Sequence, residues 1–444
     1  MAVESSLDIL FLHNMNDTHP LIQELQWRGL LQDLTPGTSA MLGQSPQTVY
    51  VGFDPTADSL HIGNLIPIML LLHMQRNGHH PIALLGGATG LVGDPSGRTT
   101  ERPLLSVEEI DHNAKCIGKQ LSRFLDFDPA CGNPARLLNN HDWFRNITFL
   151  DFIRDAGKHI PVAYMLSKDS VKSRMETGIS FTEFCYQLIQ GYDYLHLYRH
   201  YGCRLQMGGS DQWGNIITGA EMIRRMDQGE AHALTAPLVT RSDGNKFGKS
   251  EGKNVWLDAG RTSAYQFYQF WLNVADDDAR RLVATYTLRD REYIEQLKAD
   301  HDQASHERRM QRLLAEDLTT RVHGVDVLAQ VQDASAILFG RDTADALRRL
   351  QPALLLDIME GVPRYVVPRT SIEAGRSLLA LLVDDSPIFP SRGQAREMIE
   401  AGGVSLNKQK SVDENQIVTT ENLLCGHFIL VQKGKKNYYL IEIV

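Results

Sequence analysis

The sequence predicts an α/β protein: a parallel-sheet core, then an α-helical domain, then a small α+β domain. Three observations predict it. Residues 48–87 carry a strand, helix, strand pattern; glycine-rich polar stretches follow predicted strands directly; and the texture changes after Leu257. At 444 residues the chain exceeds one core, since about 150 residues make an ordinary domain, so two or three units are expected.

The first unit opens with a β-rich run, Thr48 to Val51, and a turn-rich stretch, Gly52 to Ser59. Leu60 to Met74 is apolar nearly all round, as a helix packed between two layers must be, with a kink expected at Pro67. A second strand, Pro81 to Leu85, completes a βαβ unit and with it a parallel sheet. Ser106 with Glu109 forms a capping box before the stripe Ile110, Ala114, Ile117, Leu121 and Phe124; Ser180 with Glu183 does the same before Phe184 and Leu188. Another strand, Arg204 to Met207, runs into Gly208-Gly209-Ser210-Asp211-Gln212, which puts polar groups at a strand's carboxyl end, where open α/β sheets bind ligands. Past Leu257 come charged helical stretches up to Val322, with aromatics packed into Tyr265 to Trp271. From Ser391 a capped helix gives way to short strands ending in Tyr438 to Val444. The expected boundaries are 1–245, 246–340, a linker over 341–375 that holds Pro352, Pro363 and Pro368, and 376–444.

Composition removes several classes. Hydrophobic residues at 43% and charged residues at 22% are globular values, which excludes collagen-like and wholly disordered chains. No apolar run approaches the roughly 18 residues of a membrane span. The first 27 residues lack Lys and Arg but contain Glu4, Asp8, Asp17 and Glu24, which suits neither a secretory nor a transit peptide and makes a cytoplasmic address the expectation. Cys116, Cys131, Cys185, Cys203 and Cys425 are scattered and form no CxxC, so they read as reduced buried thiols, not as zinc ligands or disulfides. A net charge of −9 opposes nonspecific adhesion to nucleic acid but leaves room for a local basic patch.

Five segments carry chemistry. Gly52-Phe53-Asp54-Pro55-Thr56-Ala57-Asp58-Ser59-Leu60-His61-Ile62-Gly63-Asn64 joins a strand to a helix beginning near Ser59. Free N–H groups and the dipole make such a turn an anion site, with Thr56 and His61 placed to donate to phosphate oxygens and Gly63 leaving room for a flat ring. Gly86-Gly87-Ala88-Thr89-Gly90-Leu91-Val92-Gly93-Asp94-Pro95-Ser96-Gly97-Arg98 is a second glycine-rich loop after a strand, yet it is neither a P-loop nor GxGxxG. Tyr186, Gln190 and Asp193, at i, i+4 and i+7, share one helix face, either a solvated face or the lining of a polar pocket. Arg241 to Lys253 is a cationic glycine-containing loop with Lys246, Lys249 and Ser250; an isolated KxxKS is an ordinary basic turn, but near a phosphate site it can stabilise a leaving pyrophosphate. Last, Arg392 and Arg396 on a capped helix, with Lys408, Lys410, Lys433, Lys435 and Lys436, can form a phosphate-positioning face, although nine acidic residues lie in the same stretch from 371 onward, so any patch must come from arrangement.

The turn ending Leu60-His61-Ile62-Gly63-Asn64, followed about 190 residues later by Lys246-Phe247-Gly248-Lys249-Ser250, resembles the paired HIGH and KMSKS signatures of class I aminoacyl-tRNA synthetases. Gly93-Asp94-Pro95-Ser96-Gly97, Gly191-Tyr192-Asp193 and Gly208-Gly209-Ser210-Asp211-Gln212-Trp213-Gly214-Asn215 narrow this to a resemblance to the bacterial-type tyrosyl-tRNA synthetases over nearly the whole chain. Ser391-Arg392-Gly393-Gln394-Ala395-Arg396 and the closing Gly434-Lys435-Lys436-Asn437-Tyr438 resemble the RNA-binding fold, shared with a small-subunit ribosomal protein, that the family carries at its C-terminus.

The resemblance implies a Rossmann-like catalytic domain over 1–245, a mobile lysine loop with an anticodon-side helical domain over 246–340, and an RNA-binding domain over 376–444. It implies that Tyr50 and Asp193 hold the phenolic hydroxyl of tyrosine, that Tyr186, Gln190 and Asp94 hold its α-amino group, and that Gln212 lies near its carboxylate. Gly52, Asp54, Thr56, His61 and Asn64 would line the nucleotide and its phosphates, Asp211 and Gly209 would lie near the ribose, and Lys246, Lys249 and Ser250, with Arg98 and Arg102, would reach the pyrophosphate. Arg392, Arg396, Lys408 and Lys410 would face RNA. ATP with Mg2+, L-tyrosine and tRNA(Tyr) are the implied cofactor and partners, with a homodimer, no membrane and no resident metal. Against the family pattern, Asn64 fills the fourth HIGH position, the loop reads KFGKS, Arg98 stands where lysine occurs in some members, and Val51, which has no side-chain donor, stands where cysteine often sits.

The activity implied is tyrosine activation by ATP, then transfer to tRNA. The related tryptophan enzymes would not need Tyr50 and Asp193 as a hydroxyl clamp. Small nucleotidyltransferases lack the later domains, and a noncatalytic RNA scaffold has no use for Asp94, Asp193, Asp211 and both signatures together.

Overall fold

The computed structural model describes residues 19–96, 103–175, 178–242, 244, 247–250, 253–339, 347, 351–359, 362–434 and 437–444. Arg98, Arg102, Lys246, Lys435 and Lys436 lie outside these, and so do the side chains of Lys249 and Ser250.

By contact density the chain divides into two units: residues 1–262 with 270–322, and residues 263–269 with 323–444. The first is built on a six-stranded sheet of β1 (Asp33–Leu34), β2 (Thr48–Phe53), β3 (His80–Leu85), β4 (Arg136–Asn139), β5 (Cys203–Gly209) and β6 (His232–Ala236), in the order β1-β6-β5-β2-β3-β4. All neighbours are parallel except β1 with β6, and Tyr50 on β2 sits opposite Ile82 on β3 and Gln206 on β5. The chain therefore works outward from β2 to β4 and then returns to build β5 and β6 on the other flank, which makes β2/β5 the switch point, where crossovers diverge and a crevice opens.

The predicted βαβ unit is present, with local differences. A 3-10 turn, Ile62–Asn64, leads into the helix Leu65–Arg76, so the helix starts later than Ser59. The kink expected at Pro67 does not interrupt it: the proline falls in the first turn, where an N–H has no intrahelical acceptor to lose. Ten of the twelve residues of this helix are buried, and that is why its apolar pattern runs all round. The Ser106/Glu109 box closes both ways over the helix Val107–Leu121. Ser180 does cap the helix Phe181–Tyr201 by accepting from Glu183 N, but the Glu183 carboxylate is drawn away to a buried two-pronged ion pair with Arg174, 2.9 Å on each arm. Helices Asp276–Tyr286 and Arg291–Gln303 belong to this unit too: the buried Arg28 guanidinium donates to the carbonyls of Ala284, Thr287 and Arg289 at 2.8, 2.8 and 2.7 Å. The short hairpin β7 (Lys249–Ser250) with β8 (Lys253–Asn254) flanks the lysine loop.

In the second unit β9 (Arg364–Val367), β11 (Val404–Leu406), β12 (Gln409–Ser411), β14 (Phe428–Lys433) and β15 (Asn437–Ile443) form a sheet in the order β12-β11-β14-β15-β9, and β10 (Arg376–Ser377) pairs with β13 (Ile417–Val418). Leu378, Leu381, Phe389, Ile399, Val431 and Ile441 form its core. The helix Arg392–Glu400 is capped by Ser391 as predicted. All five cysteines are free thiols; only Cys203 is buried and the other four are half-exposed, so the expectation of buried thiols holds for one strand residue alone. Among the described residues no helix is long and apolar enough to cross a membrane.

Candidate active site

A cleft of about 560 Å³ opens at the carboxyl ends of β2, β3 and β5, over the switch point. Its lining contains, of the residues singled out from the sequence, Tyr50, Gly52, Asp54, Thr56, His61, Asn64, Asp94, Tyr186, Gln190, Asp193, Gly209, Asp211 and Gln212. The polar face of the helix Phe181–Tyr201 is thus the wall of a polar pocket, and the solvated-face alternative is excluded by the burial of Tyr186 and Asp193.

Two hydrogen-bond networks build the inner wall. In one, Tyr186 Oη donates to Asp54 Oδ2 at 2.7 Å, Thr89 Oγ1 donates to Asp54 Oδ1 at 2.7 Å, and Asn140 Nδ2 reaches Thr89 Oγ1 at 3.1 Å and Asp193 Oδ2 at 3.0 Å. Trp143 Nε1 donates to the other Asp193 oxygen at 2.9 Å, and its ring stacks on His196 at 4.2 Å. A Cβ on Gly86 would lie 2.1 Å from Asp54 Oδ1 and 2.3 Å from Thr89 Oγ1, so the glycine after β3 is what lets these two side chains meet. In the second network Gln212 Nε2 donates to Asp94 Oδ2 at 2.6 Å, Ser96 N donates to Asp94 Oδ1 at 3.0 Å, and Asn215 Nδ2 reaches Gln190 Oε1, Gln212 Oε1 and Ser96 Oγ at 3.0, 3.3 and 3.3 Å. Gln190, Gln212 and Asp94 are therefore one assembly, joined by Asn215.

Burial governs the electrostatics here. Asp193 is 2% exposed, and desolvation raises its pKa to about 8, against the hydrogen bonds from Asn140 and Trp143, which act to lower it. The phenols of Tyr50 and Tyr186 are pushed well above their usual range, first by burial and then by Asp193 and Asp54 respectively. Tyr50 Oη is buried and has no hydrogen-bond partner within the protein, and neither has Gln206 Oε1 beside it in the lining. Buried polar groups left unpaired are costly, so these are groups that a ligand's own donors and acceptors would satisfy.

The outer part of the cleft is more open. His61 Nδ1 accepts from Gly63 N at 3.0 Å and His61 N donates to Asn64 Oδ1 at 3.0 Å, a reciprocal capping box. With Nδ1 accepting, a neutral imidazole carries its proton on Nε2 and can donate from there. A Cβ on Gly63 would lie 2.8 Å from His61 Cε1, so the flat ring that this glycine accommodates is the imidazole of His61 itself. Thr56 is exposed at the mouth. Phe247 is buried against Phe270 and Trp271 and anchors the lysine loop.

Outside the cleft, three of the described cations of the C-terminal unit singled out from the sequence have local partners that fix them. Arg392 pairs with Asp384 and Arg396 with Glu414, Lys433 Nζ donates to Ile388 O at 2.9 Å, Lys408 is half-buried in a left-handed backbone conformation, and Lys410 is exposed.

Sequence reasoning missed Asn140, Trp143, Thr89, Ser96, Asn215, Gln206 and Trp256. Asn140 was within reach, because it directly follows β4 and polar residues after strands had marked the other segments; β4 itself is short and half exposed, which hid it. Gln206 looks like an ordinary strand residue, and Asn215 stood at the end of a family-like string without a role of its own.

A family model described as "tRNA synthetases class I (W and Y)" matches residues 42–340, and one described as "Tyrosine--tRNA ligase SYY-like C-terminal domain" matches residues 357–441. The tyrosine--tRNA ligase of Porphyromonas gingivalis is 54% identical over 424 residues, 95% of this chain and 99% of the relative; that of Flavobacterium psychrophilum is 49% identical over 428 residues, again 95% and 99%. Among solved structures, a C-terminally truncated mitochondrial tyrosyl-tRNA synthetase of Aspergillus nidulans superposes with a TM-score of 0.65 at 29% identity, over 72% of this chain and 94% of the other. A tryptophanyl-tRNA synthetase of Encephalitozoon cuniculi, at 13% identity and a TM-score of 0.52 over 69% and 87%, shares the fold.

Proposed function

The chain belongs to the class I tRNA synthetases of the tryptophan and tyrosine group, and within it to the tyrosine--tRNA ligases; on that premise we propose how its residues divide the work. The reaction is the family's: the tyrosine carboxylate attacks the α-phosphate of ATP, pyrophosphate leaves, and a hydroxyl of the tRNA 3′-terminal adenosine takes the tyrosyl group.

Tyr50 and Asp193 clamp the phenol of the substrate, with Asn140 and Trp143 holding the Asp193 carboxylate in place. The observation that carries this is the buried, unpartnered Tyr50 hydroxyl in the same pocket as the buried Asp193: a ligand hydroxyl at that depth would pair the first and meet the second. Asp94, Gln190 and Gln212 receive the amino and carboxylate groups, aided by Tyr186. Tyr186 donates its hydroxyl proton to Asp54, so its contribution to the amino group runs through that shared carboxylate.

At the open end, Gly52, Thr56, His61 and Asn64 face the phosphates, Gly209 and Asp211 the ribose, and Lys246, Lys249, Ser250, Arg98 and Arg102 the departing pyrophosphate. No protein nucleophile is needed; the rate comes from orientation and from cations and donors placed where charge develops. Mg2+ belongs to this reading as a companion of ATP. It would ride on the phosphates and neutralise their charge there, and the cleft offers the carboxylates of Asp54 and Asp211 in its lining.

Residues 1–245 serve as the catalytic domain, 246–340 as lysine loop and anticodon-side helices, and the tail from 376–444 as the tRNA-binding part, through Arg392, Arg396, Lys408 and Lys410; the expected linker over 341–375 is no mere connector, because β9 (Arg364–Val367) pairs with β15 in the tail's own sheet and Val367 and Ile372 lie in its core. A cytoplasmic homodimer completes the proposal. The helix Phe149–Asp155 buries no residue and exposes Phe149, Leu150 and Ile153, near in sequence to the exposed Leu137 on the edge strand β4 and to Val162 and Leu166; such an apolar surface is supported by a second copy covering it.

The deciding experiment is amino-acid-dependent ATP–pyrophosphate exchange across the twenty amino acids with Mg2+. Exchange with tyrosine alone is expected; exchange with tryptophan, or none, overturns the residue assignment.

A further inference from the structure

We propose that Trp256 is a positioning residue for His61, itself held by Arg261 and Asp58. The proposal rests on the reading above in which His61 acts on the phosphates of ATP, and it assigns a role to a residue outside both signatures.

The backbone makes the first case. His61 and Trp256 form an antiparallel bridge, Ile62 N donates to Val255 O at 3.0 Å, and Leu257 N donates to Leu60 O at 2.8 Å. The segment 255–257 therefore runs as a short strand along the turn that carries His61. The same strand is tied to the lysine loop, since Val255 N donates to Gly248 O at 2.9 Å. One element thus fixes the backbone of the histidine turn and the base of the cationic loop together.

The side chains make the second. The Trp256 indole meets the His61 imidazole edge to face, with centroids 5.9 Å apart and planes at 66°. The Arg261 guanidinium lies 4.7 Å from the Trp256 ring centroid and pairs with Asp58, three residues before His61. Trp256 N also accepts support from below, donating to Thr262 Oγ1 at 3.0 Å. The imidazole is thereby held on two sides, by Gly63 N at Nδ1 and by the indole against its ring, within the lining of the cleft. Removing the indole frees the ring to turn while Nδ1 keeps its own hydrogen bond, so the donor stays present but loses its aim. Misplacement of about 1 Å near a reacting centre costs on the order of a hundredfold in rate.

The test is a double-mutant cycle in tyrosine-dependent pyrophosphate exchange on the full chain, with Trp256→Ala, Trp256→Phe and His61→Ala, and with tyrosine binding measured at equilibrium. Trp256→Ala is expected to lower kcat about ten- to a hundredfold while the KM for tyrosine and its binding stay as they were. Trp256→Phe, which keeps an aromatic edge, should recover to within about threefold of the parent, and Trp256→Ala in the His61→Ala background should add no more than about twofold. A loss that persists in full without His61, or one that falls on tyrosine binding, overturns the proposal. Should Trp256→Ala fail to fold, Arg261→Met gives the same cycle with a smaller loss, again expected to vanish in the His61→Ala background and fatal to the proposal if it does not. If His61→Ala alone leaves exchange unchanged, the reading of His61 falls and takes this one with it, a result separable from the additive outcome.

Discussion

The two ends of the cleft are built on opposite principles. The inner end, around Tyr50 and Asp193, is buried, hydrogen-bonded from behind and left with polar groups that the protein does not satisfy. The outer end, around Thr56 and His61, is half-open, with backbone donors and a histidine, and the backbone of the lysine loop passes beside it at Gly248. Specificity for a hydroxyl needs the first arrangement, because discrimination comes from leaving a buried group unpaired when the wrong substrate binds. Stabilising a leaving polyanion needs the second, because charge must gather around it and then release it.

The comparison breaks most visibly at Lys249. Lys249→Ala should slow pyrophosphate exchange by about a hundred- to a thousandfold, with tyrosine binding unchanged by equilibrium titration; a loss of tyrosine affinity instead would erase the division between the ends. Asp193→Asn should act on the other side, reducing kcat/KM for tyrosine by about tenfold or more, by altering a buried hydrogen bond to the phenol, and lowering the preference for tyrosine over phenylalanine, as read by exchange with each amino acid.

Asp193 also predicts a pH dependence. Its folded pKa of about 8 lies above the unfolded carboxyl value, so its contribution favours the folded state in full below the unfolded pKa, near 4, and is lost as pH rises through about 8. Denaturant midpoints should fall between those limits in the parent and fall less in Asp193→Asn; identical slopes would show that the carboxyl is not desolvated. Tyr50→Phe should weaken tyrosine by about five- to tenfold, the range of one neutral hydrogen bond. The smallest effect is expected at Arg396: its exposed pair with Glu414 is replaceable by phosphate, so Arg396→Ala should change tRNA charging by about two- to threefold in a salt-dependent way and leave exchange untouched.

Legibility in the sequence followed the same division. The histidine turn, the glycine loop after β3 and the polar face of Tyr186, Gln190 and Asp193 could be read because strand ends, caps and helical spacing are local properties. The partners that make those residues work could not. Asn140 and Trp143 lie about fifty residues from Asp193, Asn215 meets Gln190 and Gln212 only after a helix has turned, and Glu183 left its expected cap for Arg174 because a buried guanidinium demands a carboxylate. The Pro67 kink failed for a positional reason: shifting the helix start by a few residues moved the proline into the first turn.

By itself, then, the sequence determined the parallel-sheet core and the two signature loops, since each follows from short-range sterics, hydrophobic period or motif spacing, while the family resemblance named most of the groups that line the cleft. Only the tertiary structure decided which of those groups are paired and which are left waiting. That choice depends on what lies across the cleft and on how much water remains there, and both are set by strands and helices brought together from distant parts of the chain.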